Sequence, residues 1–313
     1  MQARHRFTIL TIVTTVLLMA WGAFVTSIDA GLAVPDWPSS FNSYDPFNPW
    51  PGWWTITPVL AEHGHRLLGA LVGLFTLILS IWTVAADERR WMRRLAVGAL
   101  VLVVVQGFLG GLRVVWVSLD LAVVHACAAQ LFFSTMICMA VFTSKAWGET
   151  DRFRAIATVP PRFVALSVAA SVVIFVQIIL GALLRHPGTG IDLTLASFHI
   201  FWAFVVIGLV LATAYQVHQT LRHVRPVRRW RDAMVALLAV QFLLGVTAFF
   251  VLLDEAGITR PSNLQVVANT SHMVVGALLM ASSAAVAAWA VRLSTASRAE
   301  VPASAASPVP HPA

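Results

Sequence analysis

Apolar residues run through this chain in eight stretches, each near or above the ~20 residues needed to cross a hydrocarbon core. They fall at about 7–28, 62–86, 94–116, 120–143, 163–184, 195–217, 232–253 and 264–291, with short polar breaks between them. The pattern predicts an all-α polytopic membrane protein with eight transmembrane helices. The first run follows Arg4 and Arg6 as a secretory signal would. It is longer than the roughly 7–15 residues of a signal core, so it is read as a retained span.

Polar positions inside the runs repeat. A histidine stands near one end of every second span: His65 in EHGHRLLG, His125 in AVVHACAA, His199 in ASFHIFWA and His272 in NTSHMVVG. A small residue follows each by one helical turn, namely Gly69, Ala129, Ala203 and Gly276. Ionisable side chains are costly in lipid and are read there as functional. Small residues on the same face serve helix packing, and they also let a flat macrocycle approach the backbone. Four histidines in one local pattern point to two bis-histidine metal-cofactor sites, with heme the best fit. Zinc fits less well, because closed zinc sites want four ligands and neither half offers a third at that depth beyond Glu62.

The chain also repeats as a whole. Trp21-Gly22-Ala23 resembles Leu180-Gly181-Ala182, VVQGFLGG resembles AVQFLLGV, His65 pairs with His199, and His125 pairs with His272. Both copies start on the same side, so the repeats are parallel. The expected organisation is a four-helix bundle over 1–143 that includes a long outer loop at 29–61. A cytoplasmic linker follows at 144–162, then a second bundle over 163–292 and a disordered tail over 293–313. Sites between facing helices are a standard use of such bundles.

Composition narrows the class. Of 313 residues, 58% are hydrophobic and only 11% charged, which excludes an ordinary soluble domain. The formal charge of +7 reflects topology rather than a nucleic-acid partner. All but four of the 21 Lys and Arg residues lie in the two termini and in the segments that join spans two to three, four to five and six to seven. The positive-inside bias therefore puts both termini in the cytoplasm, with anionic headgroups as natural partners of the basic segments. Cys127 and Cys138 share one helix some 16 Å apart along its axis, beyond the reach of a disulfide. They are read as packing residues.

The remaining candidates carry two readings each. Glu62 shares a helix face with His65 and Arg66; it is either a group that assists chemistry beside a cofactor or a helix-start acid paired to Arg66. The second half has Ala196 in its place. Arg66, Arg113, Arg185 and Arg260 are the four outer basics. They suit heme propionates, which Arg binds in bidentate fashion, or they snorkel at helix ends. Gln106, Gln177 and Gln241 read as interhelical hydrogen-bonding groups. His63 and His186 read as solvated at the water boundary, as do His5, His218, His223 and His311. The outer loop holds six prolines and four tryptophans with no Lys or Arg. It is either an interfacial anchor or a lid over the first site.

On these residues the chain resembles the heme A synthase family, whose members convert heme O to heme A for terminal oxidases. GLAVPDWP after the first span, Glu62 with His65-Arg66, and VQIILGALLRH in the fifth span carry the resemblance. It implies an inner-membrane oxidoreductase that oxidises one porphyrin methyl of heme O to a formyl group through an alcohol. His65 and His125 would hold the reacting heme, Glu62 would assist, and His199 and His272 would hold a heme B. The implied partners are heme O, an electron donor, the heme O synthase that supplies the substrate and the assembly factors of terminal oxidases. Many bacterial members carry cysteine pairs in the outer loops. Here the first loop has Val34 and Ser40 in a cysteine-free stretch, so thiol chemistry is not expected. Iron held by two histidines leaves no position for dioxygen: either one ligand departs during turnover or the methyl reacts away from the metal. The competing reading is a diheme b-type, quinol-linked electron-transfer protein. A transporter is disfavoured because the histidines cluster near one face rather than at broken helices in the bilayer centre.

Overall fold

The computed structural model of the chain describes residues 2–50, 52–154, 159–185, 192–254 and 261–299. Among the described residues eight helices are long and apolar enough to cross a membrane. They are α1 (Gln2–Ser27), α2 (Thr57–Ala86), α3 (Arg90–Val115), α4 (Leu119–Thr143), α5 (Pro161–Arg185), α6 (Leu193–Leu221), α7 (Arg225–Asp254) and α8 (Asn263–Ala299). Single turns at Lys145–Gly148 and Asp151–Arg154 lie between α4 and α5. Among the described residues there is no strand, and the all-α polytopic class read from the sequence holds.

Local chemistry explains the ends. α2 starts at Thr57, five residues before the apolar run, because Pro58 sits in the first turn, where its missing N–H is not needed. Ser118 caps α4 by accepting from Leu121 N, and Asp192 caps α6 by accepting from Thr194 N and Leu195 N. α8 continues to Ala299, so the start of the segment expected to be a disordered tail is helical. Leu293, fully buried in the core, is the reason. Residues 300–313, including His311, lie outside the described residues.

Within the first half α1 packs on α2, α2 on α3, α3 on α4 and α4 back on α1. In the second half α5, α6, α7 and α8 close the same ring, and the halves meet through α1 with α8, α4 with α8 and α4 with α5. α8 is thus central. Its buried Ala277, Ala281, Ala285 and Ala290 leave room for close approach in a lipid environment, where packing rather than water drives association. Buried polar groups in the spans bond locally: Thr8, Thr11, Thr14 and Thr15 each donate to the carbonyl four residues earlier. The segment after α4 is anchored by Trp147, whose ring meets Trp289 of α8 edge-on at 4.9 Å.

At the basic end of the molecule Asp87 accepts from Arg4 at 2.6 Å and from Arg89 at 2.8 Å, tying α1 to the α2–α3 turn. Hydrogen bonding from Arg89, aided by the Arg4 charge, holds its carboxyl down at about 2, against an unfolded value near ~3.9. A lowered folded pKa gives stability that is full above about pH 4 and lost as pH falls toward about 2. Asp87→Asn strands the buried Arg4 and is expected to cost about 3 kcal/mol at neutral pH. Thermal unfolding in detergent checks this, and the gap between variant and parent should close as pH falls through that window.

Candidate functional site

The four histidines lie roughly 9–14 Å along their helices from the N-terminal ends, using 1.5 Å per residue, and all at the end away from Asp87. Each imidazole packs against a glycine of the preceding helix. A methyl added at Gly22 would meet the His65 ring at 2.8 Å. Methyls at Gly110, Gly181 and Gly245 would meet His125, His199 and His272 at 3.1 Å each. The chain therefore uses one two-helix unit four times: glycine on the odd helix, histidine on the even one. The glycine–histidine contact was not foreseen from the sequence, although the glycines themselves stood out in the repeat.

The Nδ1 atoms of His65, His125, His199 and His272 are buried and have no hydrogen-bond partner. A ring protonated at Nδ1 leaves its Nε2 lone pair for a ligand. In the second half that lone pair faces a donor, with Gln177 Nε2 at 3.1 Å from His199 Nε2 and Gln241 Nε2 at 3.2 Å from His272 Nε2. Gln177 also donates to His199 O at 3.0 Å and Gln106 to His125 O at 3.1 Å, as the interhelical role expected of the glutamines requires.

The histidines gather in two pairs. His65 and His125 stand at the same end of the first half, on α2 and α4, and the rings of His199 and His272 lie 6.5 Å apart between centroids. Among the described residues no group of three or more His, Cys, Asp or Glu gathers. Paired imidazoles that leave their Nε2 atoms to a ligand would suit the iron of a heme.

The outer loop between α1 and α2 is folded onto the first half. Arg66 donates to Asp36 O at 2.6 Å, Ser39 O at 3.1 Å, Val34 O at 2.8 Å and Glu62 Oε1 at 2.9 Å. Glu62, only 4% exposed, accepts Val34 N–H on Oε2 at 2.8 Å. Arg113 donates to Gly31 O at 2.6 Å. Trp37 lies flat over Gly111 of α3, where any side chain would occupy its indole, and stacks edge-on with Phe108 at 5.7 Å. These contacts make the loop a wall across the outer ends of α2 and α3. The exposed Tyr44, Phe47, Trp50 and Trp54 remain available to the interface, so the two readings of the loop coexist.

Other placements differ from expectation. His63 is buried rather than solvated: its Nε2 meets Pro46 O at 2.7 Å and its ring meets Trp53 at 4.9 Å. The sequence pattern missed this because it could not show the loop returning over α2. Arg185 donates to Ala23 O at 2.8 Å and Ser27 Oγ at 2.5 Å, joining α5 to α1 across the halves. His5 is half-buried and pairs with Thr143 Oγ1 at 3.1 Å. His218 and His223 are exposed, as expected. Arg260 and His186 lie outside the described residues. Cys127 and Cys138 are free thiols.

Comparison with known proteins brings the site into focus. Residues 55–197, which carry Glu62, His65, Arg66, Arg113, His125 and Arg185, match a family described as cytochrome oxidase assembly protein. The chain is 30% identical over 191 residues to a protein of Symbiobacterium thermophilum named heme A synthase, covering 58% of this chain and 59% of that one. It is 25% identical over 178 residues to one of the same name from Exiguobacterium sibiricum, covering 56% and 57%. Against a third, from Geobacillus kaustophilus, identity is 33% over 113 residues, covering 35% and 33%. The matches thus span less than two thirds of these relatives' length.

Proposed function

We propose that this chain is a heme A synthase: a multi-pass oxidoreductase of the bacterial inner membrane, both termini cytoplasmic, that oxidises a methyl group of heme O to the formyl group of heme A. The chain resembles that family in the segment that holds most of the site, as the sequence motifs indicate. Heme O is the substrate of the first half, between His65 and His125, and heme B resides in the second, between His199 and His272. The observation that carries the reading is asymmetry on a repeated frame. Both halves share the glycine–histidine pairs, but among the described residues only the first adds a buried carboxylate and a loop that closes over it.

The iron porphyrin supplies the redox chemistry when bound. The chain supplies position and proton handling. Glu62 stands one turn before His65 on the same face, where it accepts from Arg66 and from the Val34 N–H. It is placed to take a proton released as the methyl carbon loses electrons and gains oxygen, first as alcohol and then as aldehyde. The Trp37-bearing loop keeps bulk water from that carboxylate, which strengthens its electrostatic effect. Arg66, Arg113, Arg185 and Arg260 are assigned to the propionates. Arg113, with its single hydrogen bond to the loop, is best placed among those described, because Arg66 is heavily committed to loop carbonyls. A prenylated substrate enters sideways from lipid, so the closed outer loop is no obstacle to it.

The test is conversion. Purified protein in lipid discs is given heme O and an electron donor in air, and the pigment is extracted. Alcohol and then aldehyde derivatives of the porphyrin support the proposal. Extracts that hold only heme B and yield no product indicate the diheme b-type electron-transfer protein instead.

A further inference from the structure

The layer one turn inward from the four histidines differs between the halves at one position. Four residues before the contacting glycines stand Leu18 and Gln106 in the first half and Gln177 and Gln241 in the second, side chains of similar size. Four residues after the histidines stand Gly69 and Ala129, then Ala203 and Gly276, again matched in bulk. Three residues after them the match fails: the first half has Leu68 and Ala128, the second Trp202 and Val275. Residues three apart share a helix face, and all four of these side chains are partly buried. Trp202 donates from Nε1 to Val173 O at 3.0 Å, a carbonyl two turns inward from Gly181 on α5. Its ring packs on the core cluster that contains Ile174 and Val206. The indole thus adds bulk on the inward side of His199, where the first half has only an isobutyl group and a methyl.

We propose that Trp202 determines which porphyrin the second half takes: it excludes a prenylated heme there, while Leu68 and Ala128 admit one in the first half. This rests on the functional reading above and names what sorts the two hemes. The described arginines assigned to the propionates stand toward the outer ends of their helices. A porphyrin that meets them turns its opposite edge toward the bilayer centre. In heme O that edge carries the prenyl chain, and in heme B it carries a vinyl group in the same place. Residue 202 lies about 4.5 Å inward from His199 along the helix, near the half-width of a porphyrin, so this layer is the one the edge reaches. An indole held by packing and by a hydrogen bond yields little, and forcing a chain into filled space is costly. A clash against the wrong ligand sorts as well as a contact with the right one. Further inward the halves are alike again: Val72 and Phe133 are buried, as are their counterparts Val206 and Met280. The discrimination is confined to one layer.

The experiment reads bound pigment rather than turnover. The full-length protein is made in cells that supply both heme O and heme B and is purified in detergent. Its extracted pigment is separated into prenylated and unprenylated porphyrins, so that oxidised products count with heme O. His125→Ala leaves the second site alone and should carry heme B only. Adding Trp202→Leu should raise the prenylated share of that pigment about tenfold or more, the range in which pocket sterics discriminate. With both histidine pairs intact, Leu68→Trp should lower the prenylated porphyrin per chain by a similar factor without lowering heme B. Should the Trp202→Leu chain hold no pigment, Leu68→Trp decides. Prenylated porphyrin in His125→Ala itself, or heme B alone after Trp202→Leu, overturns the inference and leaves oxidation of heme O by the first half standing. A Leu68→Trp chain that keeps the parental prenylated share, or loses heme B along with it, overturns the inference too. A parent that takes up no prenylated porphyrin overturns the functional proposal itself.

Discussion

His125→Ala is expected to abolish heme A formation and cut the bound heme to about half, because the first-half iron loses one of its two axial nitrogens. His65→Ala should do the same. His272→Ala should instead lose heme B and spare heme O binding, since its ring sits with His199 and Gln241 in the other half. Pyridine-adduct spectra of the extracted pigment distinguish the two outcomes. The glycine contacts supply a companion. Gly110→Leu would drive a side chain into the space of the His125 ring, which already stands 3.1 Å from a bare Cβ, and should mimic His125→Ala in heme content. If both first-half histidine variants keep full heme, the assignment of that pair fails.

The second large effect is at Glu62. Glu62→Gln keeps one oxygen to accept from either Val34 N–H or Arg66, and Arg66 keeps its carbonyl partners on the loop, so the loop should stay in place and heme binding should persist. What it removes is the carboxylate that could take up a proton. Loss of a positioned proton acceptor typically lowers rate about 100-fold to 10,000-fold, and conversion of heme O should drop by that order. Glu62→Ala removes the clamp as well and should also expose the loop to protease. A Gln variant that converts heme O at the parental rate would leave Glu62 with the loop-holding role alone, the alternative that its ion pair with Arg66 at 2.9 Å already makes concrete.

The eight spans were legible because lipid demands long apolar runs, and the histidines stood out because lipid penalises them. Their pairing followed from the repeat. The partners of each ring did not. Nothing local says that Gly22 touches His65 or that Gly110 touches His125, although the recurring Gln-x-x-x-Gly of α3, α5 and α7 was a readable signal. The loop was the least legible segment. Trp37 meets Gly111 and Arg113 meets Gly31 across long sequence separations. His63, judged by its position at the water boundary, therefore came out buried. Arg66 shows the same limit: an outer arginine beside a candidate ligand histidine suits a propionate by chemistry, but five backbone and side-chain oxygens of the loop and of Glu62 draw on it. Helix ends shifted for local reasons, at Pro58 in α2 and at Leu293 in α8.

The most direct test is a pigment count on the detergent-purified, folded protein. Two low-spin hemes per chain after loading, one of them heme B and one heme O or its oxidised product, with the second lost in His125→Ala, is the result this account predicts. A well-folded, colourless protein that takes up no heme when offered it would contradict the account at its root.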